Sequence, residues 1–249
     1  MREILEFFLK LLPPFPEVFV YALVVALVIL GSGSFCGYIR RYRQWKTGYT
    51  RKLLHFSIFF TAVVLHAWGG MPAVNLLGIV MGIFVLLSVW AGKGNFFYES
   101  MARMRDIPHR SFFIIIPYLA TAVGGLSSNF LFGSSAIMGY VICGAADAAA
   151  EPVGLYFGKH RYRVFSLKKV AISDRTVEGS VSIFIVSFLL SLLFFRFFYH
   201  LSFTSSLISS VITAVVVVIV EAVSFNGADN FTLQVTASGL TYLFIKLWG

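Results

Sequence analysis

Hydrophobic residues fall into eight blocks along the 249-residue chain, separated by short polar stretches. The blocks cover about residues 18–39, 53–68, 72–90, 111–126, 136–157, 180–199, 206–224 and 231–248. Most of them approach the ~20 residues that an α-helix needs to cross ~30 Å of hydrocarbon. The pattern therefore predicts an all-α, polytopic bundle of about eight transmembrane helices.

Lysine and arginine residues are concentrated in three of the stretches that separate these blocks. The stretches, about 40–52, 93–110 and 159–175, hold sixteen of the chain's 20 Lys and Arg residues. With eight spans all three lie on one side of the membrane, and the positive-inside rule makes that side cytoplasmic. Both termini are then expected outside. Because the basic residues flank spans, the net charge of +9 indicates topology and phospholipid contact rather than nucleic-acid binding.

Composition agrees with a multi-pass integral membrane protein. Hydrophobic residues make up 58% of the chain and charged residues only 12%, with a mean hydropathy of +0.84; a soluble domain carries about 25% charged residues. Residues 1–17 mix charged and apolar positions, which predicts an amphipathic surface segment ahead of a single domain over 18–249. The compact loops favour a prokaryotic plasma membrane. Two cysteines are too few for a disulfide framework or a zinc site.

Two carboxylates interrupt the fifth apolar block. Asp147 and Glu151 are four residues apart and therefore share one helix face, and small residues surround them. Acidic groups in hydrocarbon are costly and mark function or a buried partner. Two interpretations stay open: a tight helix-packing seam closed by a salt bridge, or a site that holds Mg²⁺ and activates a hydroxyl.

Further polar residues are expected at the same cytoplasmic boundary. They open the second block, follow the fifth, and stand in the turn between the last two: Arg51, Lys52 and His55; Gly154, Gly158, Lys159 and His160; Glu221, Asp229 and Asn230. Each group alone has an ordinary explanation, as snorkelling cations, as a basic span end, or as a helix cap. Their convergence on one face of the membrane favours a single polar site.

The order of these motifs resembles that of the phytol kinase and dolichol kinase family. The elements are Arg51-Lys52-x-x-His55, Asp147-x-x-x-Glu151-Pro-x-Gly154-x-x-x-Gly158-Lys159-His160, Thr176-x-Glu178-Gly179-Ser180 and Gly227-x-Asp229-Asn230. Members are polytopic kinases of isoprenoid alcohols that typically use CTP. One position departs from the pattern, because Arg175 stands where the family tends to have Lys. Arginine keeps the charge and can clamp phosphate through two hydrogen bonds.

The resemblance implies a role for each motif. Asp147, Glu151 and Asp229 would hold Mg²⁺ and, together with His55, serve phosphoryl transfer. The residues then expected to face the nucleotide are Arg51, Lys52, Gly154, Gly158, Lys159, His160, Lys168, Arg175, Glu178, Gly179, Ser180 and Asn230.

The expected function is transfer of the γ-phosphoryl group of a nucleoside triphosphate, CTP by the resemblance, to phytol, geranylgeraniol or a polyprenol at the cytoplasmic boundary. The alcohol would enter from the bilayer, with its chain along the small-residue face of the fifth span. One carboxylate, or His55, would accept its proton. Three alternatives stay open: a CTP-dependent diacylglycerol kinase, a cytidylyltransferase that forms a CDP-lipid, and an ion-coupled transporter. Transporters typically place their polar sites at the midplane between repeated halves, whereas here the polar residues gather toward one face.

Overall fold

Helices account for almost all of the structure. A computed structural model describes residues 11–164, 173–225 and 227–249. Its helices are α1 Glu17–Tyr42, α2 Thr47–Ala91, α3 Phe96–Met101, α4 Phe112–Phe132, α5 Ala136–Val141, α6 Asp147–Phe157, α7 Val177–Leu193, α8 Phe203–Val223 and α9 Asp229–Trp248. The predicted helical bundle is thereby confirmed. Most of the expected surface segment over 1–17 lies outside the described residues.

Five of the described helical segments are long and apolar enough to cross a membrane. They are Glu17–Tyr42, Thr47–Ala91, Phe112–Phe157, Val177–Phe198 and Phe203–Val223. Large apolar side chains are exposed along their outer faces, such as Leu27, Leu86 and Val215. Exposed apolar surface of this extent marks contact with lipid. The chain is therefore a multi-pass membrane protein.

Two of these segments have about twice the length that a span requires, and each contains a break. In α2, Gly70 has φ 63° and ψ −160°, a left-handed conformation that favours glycine. Leu54 packs in one core cluster with Val85, and Ile58 lines the same cavities as Met81, so the two halves of α2 lie side by side. The second segment breaks at Gly133, with φ 55°, between α4 and α5.

The last helix, α9, is long enough to span a membrane but is less apolar than the five segments above. Its buried face carries Asn230, Gln234, Ser238 and Thr241. These positions recur every three or four residues and therefore form one polar stripe. The stripe packs against α4 and α5: the Gln234 side chain donates to the carbonyl of Thr121 at 3.2 Å.

A two-stranded antiparallel sheet, which the sequence pattern does not predict, stands between α6 and α7. Strand β1, Arg161–Val164, pairs with β2, Ser173–Thr176, and Tyr162 lies opposite Arg175. Helix α7 begins directly after β2, where the Thr176 hydroxyl accepts a hydrogen bond from the Gly179 amide at 3.1 Å. This N-cap satisfies one of the free amides of the first turn. The sheet therefore places Arg175 directly before the start of α7.

Candidate functional site

Side chains from α2 and α6 form a buried ion pair at one end of the bundle. The Lys52 ammonium donates to Asp147 Oδ2 at 2.6 Å, and both side chains are buried. His55 Nε2 lies 3.4 Å from the same oxygen and 2.9 Å from the Cys143 carbonyl. Because a carbonyl only accepts, the Nε2 atom of His55 carries a hydrogen. The three side chains predicted to lie together therefore do so.

A π-helical turn, Ile142–Ala146, leads directly into Asp147. Such turns add one residue to a helix and are frequent at functional sites. The Cys143 carbonyl within this turn accepts the hydrogen bond from His55. The turn therefore fixes both the histidine ring and the start of α6, on which Asp147 stands.

A second buried ion pair joins the small sheet to α8 and α9. Arg175 Nη1 lies 2.7 Å from Glu221 Oε1, and its Nη2 lies 3.5 Å from Asp229 Oδ2. Glu221 is buried, and the Arg175 guanidinium is the partner that a carboxylate within the membrane requires. From the sequence, Glu221 was expected near the site but had no assigned role.

A third group of charges surrounds Glu151 and includes residues that the sequence analysis did not select. Arg103 Nη1 lies 3.6 Å from Glu151 Oε1, and Arg103 Nε donates to Asp106 Oδ2 at 2.9 Å. Arg103 and Asp106 are buried. Both come from the segment between α3 and α4. A basic residue in a loop between membrane helices is ordinary, and only the burial of this arginine distinguishes it.

Arg51 connects these groups through its charge. Its positive charge attracts Glu151 and Asp229 and repels Arg103, and Asp229 is attracted in turn by Lys52 and repelled by Asp147. Its Nη1 atom is buried without a hydrogen-bond partner among the described residues. We call the whole set the charged cluster: Arg51, Lys52, His55, Arg103, Asp106, Asp147, Glu151, Arg175, Glu221 and Asp229.

The charged cluster offers suitable chemistry for a divalent cation and for phosphate. Carboxylate oxygens are the ligands that Mg²⁺ prefers, and the unpaired Arg51 nitrogen is a donor suited to a phosphate oxygen. Among the described residues, no three His, Cys, Asp or Glu side chains are grouped so that they could hold a metal ion. The predicted ligands instead pair with cations: Asp147 with Lys52, Glu151 with Arg103 and Asp229 with Arg175.

The predicted glycines mainly allow the small sheet and α7 to approach α6. A Cβ on Gly154 would lie 2.7 Å from the Thr176 hydroxyl, and one on Gly158 would lie 2.6 Å from the Thr176 methyl group. A Cβ on Gly179 would lie 3.0 Å from the carbonyl of Ala150. The glycines therefore allow α7 and the strand that carries Arg175 to lie close to α6, the helix of Asp147. This close packing explains why glycine occupies these positions.

The predicted polar residues beside these glycines also contact other side chains of the protein. His160 Nδ1 lies 2.8 Å from Glu178 Oε1, and the His160 amide donates to the same carboxylate. The Ser180 hydroxyl is 2.7 Å from the Tyr162 hydroxyl. Burial raises the pKa of the Tyr162 phenol, so its hydroxyl stays protonated at neutral pH. These contacts anchor the sheet to the first turn of α7.

The remaining predicted nucleotide-binding residues are Lys159, Lys168 and Asn230. Lys159 is exposed beside the sheet, and Lys168 lies outside the described residues. Asn230 is buried, and its amide donates to the Thr121 hydroxyl at 2.7 Å and to the Pro117 carbonyl at 3.2 Å. The Asn230 amide therefore ties α9 to α4.

The small residues around Asp147 are packed against other helices. Gly144 faces the Phe59 side chain, and a Cβ on Gly139 would lie 2.6 Å from the Gln234 carbonyl. The packing-seam interpretation is correct for this face, and it coexists with the buried ion pair. At Gly144 and Gly139, helices α2 and α9 occupy the space beside this face.

Replacement of Gly144 by alanine tests this packing. Its new Cβ would overlap the Cβ of Phe59, and overpacking of this kind costs about 1–3 kcal/mol. We expect Gly144→Ala to lower the midpoint of thermal unfolding in detergent by several degrees. The control is Gly31→Ala, whose Cβ meets no atom within 4 Å. An unchanged midpoint in Gly144→Ala would contradict the close contact between α2 and the π-helical turn.

Space for a lipid lies between α2 and α4. A cavity of about 90 Å³ is bounded by Arg51, His55 and Asn230 at its polar end, and mainly by apolar side chains of α2 and α4 elsewhere. A second cavity of about 470 Å³ is lined mainly by apolar side chains. The two share Ile58, Phe59, Met81, Tyr118 and Thr121. They therefore adjoin and lead from the charged cluster into the apolar interior.

Comparison with known proteins gives no match for this chain. No protein-family model, no curated protein and no solved structure matches it. The assignment of function therefore rests on the residues and geometry of the site.

Proposed function

We propose that this protein is a membrane kinase that transfers the γ-phosphoryl group of CTP to a long-chain isoprenoid alcohol. One observation carries the proposal: Arg51 and His55 line the polar end of an apolar cavity, and His55 lies 3.4 Å from the buried Asp147 carboxylate, which pairs with Lys52. A cavity of this kind suits a hydrocarbon chain, and the cations beside it suit phosphate. Few reactions other than those of lipid headgroups require both environments within one membrane site.

The proposed topology has eight spans, a cytoplasmic active site and both termini outside. The breaks at Gly70 and Gly133 support it, because each divides a segment of 45 or 46 residues into two lengths close to that of a span. Helix α9 would be the eighth span, with its polar stripe turned toward α4 and α5. The basic stretches then lie on one side, as the positive-inside rule requires. A prokaryotic plasma membrane is the proposed location.

The reaction is an in-line displacement. The alcohol oxygen attacks the γ-phosphorus, the bond to the bridging oxygen breaks, and the nucleoside diphosphate leaves. The alcohol proton passes to a base. We assign this role to Asp147 rather than His55 Nε2, because that nitrogen already carries a hydrogen shared with the Cys143 carbonyl. His55 would orient the carboxylate.

The remaining charges bind and neutralise the triphosphate. The predicted Mg²⁺ ligands Asp147, Glu151 and Asp229 each face a cation of the charged cluster, so the neutralising charge in this proposal comes from the cations themselves. Arg51 offers an unpaired buried nitrogen, and Lys52 and Arg175 lie at adjoining positions of the charged cluster. Such preorganised cations are the main source of rate enhancement in phosphoryl transfer.

A radiolabel-transfer assay on the purified protein tests the proposal. With Mg²⁺, CTP labelled at the γ-phosphate and geranylgeraniol, we expect a labelled lipid monophosphate and release of CDP. ATP and UTP serve as competing donors, and diacylglycerol as a competing acceptor. Release of pyrophosphate with phosphatidic acid would instead establish the cytidylyltransferase. Folded protein without any labelled lipid would refute the kinase, and ion flux in liposomes would then establish the transporter.

A further inference from the structure

Two glycines on the second half of α2 differ in what surrounds them. A Cβ on Gly82 would collide with the Tyr118 hydroxyl, so this glycine is required for packing. A Cβ on Gly78, one turn away, would meet no atom within 4 Å. Gly78 lines the larger of the two adjoining cavities. Its missing side chain therefore leaves space inside the protein.

The adjoining cavities have the dimensions of one extended hydrocarbon chain. Their lining residues on α4 run from Phe113 to Leu126, which corresponds to about 20 Å at ~1.5 Å per residue. One leaflet contributes only about half of the ~30 Å hydrocarbon core. A chain that fills both cavities is therefore longer than the depth of one leaflet.

The polar end of this space carries charged side chains that suit a reactive headgroup. Arg51 and His55 line it, and His55 lies 3.4 Å from the Asp147 carboxylate. The deeper walls are formed mainly by aliphatic side chains such as Ala62, Val74 and Leu77. This continuity between charge and hydrocarbon suits an amphiphile with one long chain and a small polar headgroup.

We propose that the two cavities form one binding site for the acceptor chain and that Gly78 sets the length of the chain that is admitted. The inference rests on the proposed kinase function for the identity of the headgroup. A side chain at position 78 would fill the deeper cavity and leave the polar end open. Acceptors with short chains would still bind, whereas long ones would be excluded.

Photolabelling of the full-length protein in lipid nanodiscs tests the site without requiring turnover. The probes are diazirine-bearing prenyl alcohols of two and four isoprene units, and labelled residues are located by mass spectrometry. In Gly78→Leu we expect labelling of cavity-lining residues by the longer probe to fall about tenfold, the loss expected when a filled site is overpacked. Labelling by the shorter probe should stay within about twofold of wild type.

Gly31→Leu is the matched control, because Gly31 is exposed on α1 and its Cβ meets no atom within 4 Å. It should leave both labelling patterns unchanged. Gly78→Val adds less bulk at the same place and serves if the leucine variant does not fold. Equal labelling by the longer probe in wild type and in a folded Gly78 variant would overturn the proposal.

Phosphate transfer, measured separately, distinguishes the two proposals. Labelling of the cavity in protein that transfers no phosphate would refute the kinase and support the chain site. Transfer to the longer alcohol that is unaffected in Gly78→Leu would support the kinase and overturn the chain site. Transfer that shifts toward the shorter alcohol supports both.

Discussion

Asp147→Asn is expected to reduce phosphoryl transfer by about 100- to 10,000-fold, the range for loss of a general base. The substitution removes the group that we propose as the acceptor of the alcohol proton, and the anion that pairs with Lys52 at 2.6 Å. It keeps the shape of the side chain beside His55. Initial rates with γ-labelled CTP and geranylgeraniol measure the effect.

A loss of folding could imitate this result and needs its own control. Asp147→Asn leaves the Lys52 ammonium buried without its anion, and an uncompensated buried charge costs about 3–5 kcal/mol. The double variant Asp147→Asn/Lys52→Met removes that charge as well. We expect it to regain most of the unfolding midpoint in detergent but none of the activity. An active single or double variant would refute the assignment of Asp147 as the base.

Arg175→Met is expected to destabilise the protein more than any other single change at the sheet. The guanidinium contacts Glu221 at 2.7 Å and Asp229 at 3.5 Å, so its removal leaves two carboxylates without their cation. About 3–5 kcal/mol is expected for breaking a buried pair. This corresponds to a decrease of about 10 °C in the thermal midpoint for a chain of this size. Phosphoryl transfer should also be lost.

Two further variants serve as a control for the loss of a positive charge and as a partial rescue of stability. Arg196→Met removes an exposed arginine whose guanidinium donates to the Leu201 carbonyl, and it should leave the midpoint within about 1 °C, as surface substitutions do. Arg175→Met/Glu221→Gln removes one stranded charge and should recover part of the lost stability. A midpoint for Arg175→Met equal to that of Arg196→Met would show that the pairs with Glu221 and Asp229 contribute nothing.

The apolar blocks of the sequence predicted where the helices lie, because segments of this length must satisfy their backbone groups internally in a membrane. The pattern could not predict the small sheet. Residues 161–176 carry charges that are equally compatible with a loop, and the sheet depends on the pairing of Tyr162 with Arg175. It also did not predict that α9 is less apolar than the other long helices, with a buried polar stripe that contacts α4.

The site was predictable in its members on α2, α6 and α9, because carboxylates and cations stand out in apolar blocks. Its pairings were not, since they join residues that are far apart in the chain, such as Lys52 with Asp147 and Arg103 with Glu151. The apolar cavity escaped prediction for a related reason. The absence of a side chain at Gly78 creates a cavity only if the neighbouring helices do not fill the space.

The π-helical turn before Asp147 has a consequence for how sequences of this type should be aligned. The turn, Ile142–Ala146, holds one residue more than an α-helix would, and each residue rotates a helix by about 100°. A related chain that lacks this extra residue would require a one-position gap at the turn. An ungapped alignment would match either Tyr140 and the preceding helix or Asp147 and Glu151 correctly, but not both.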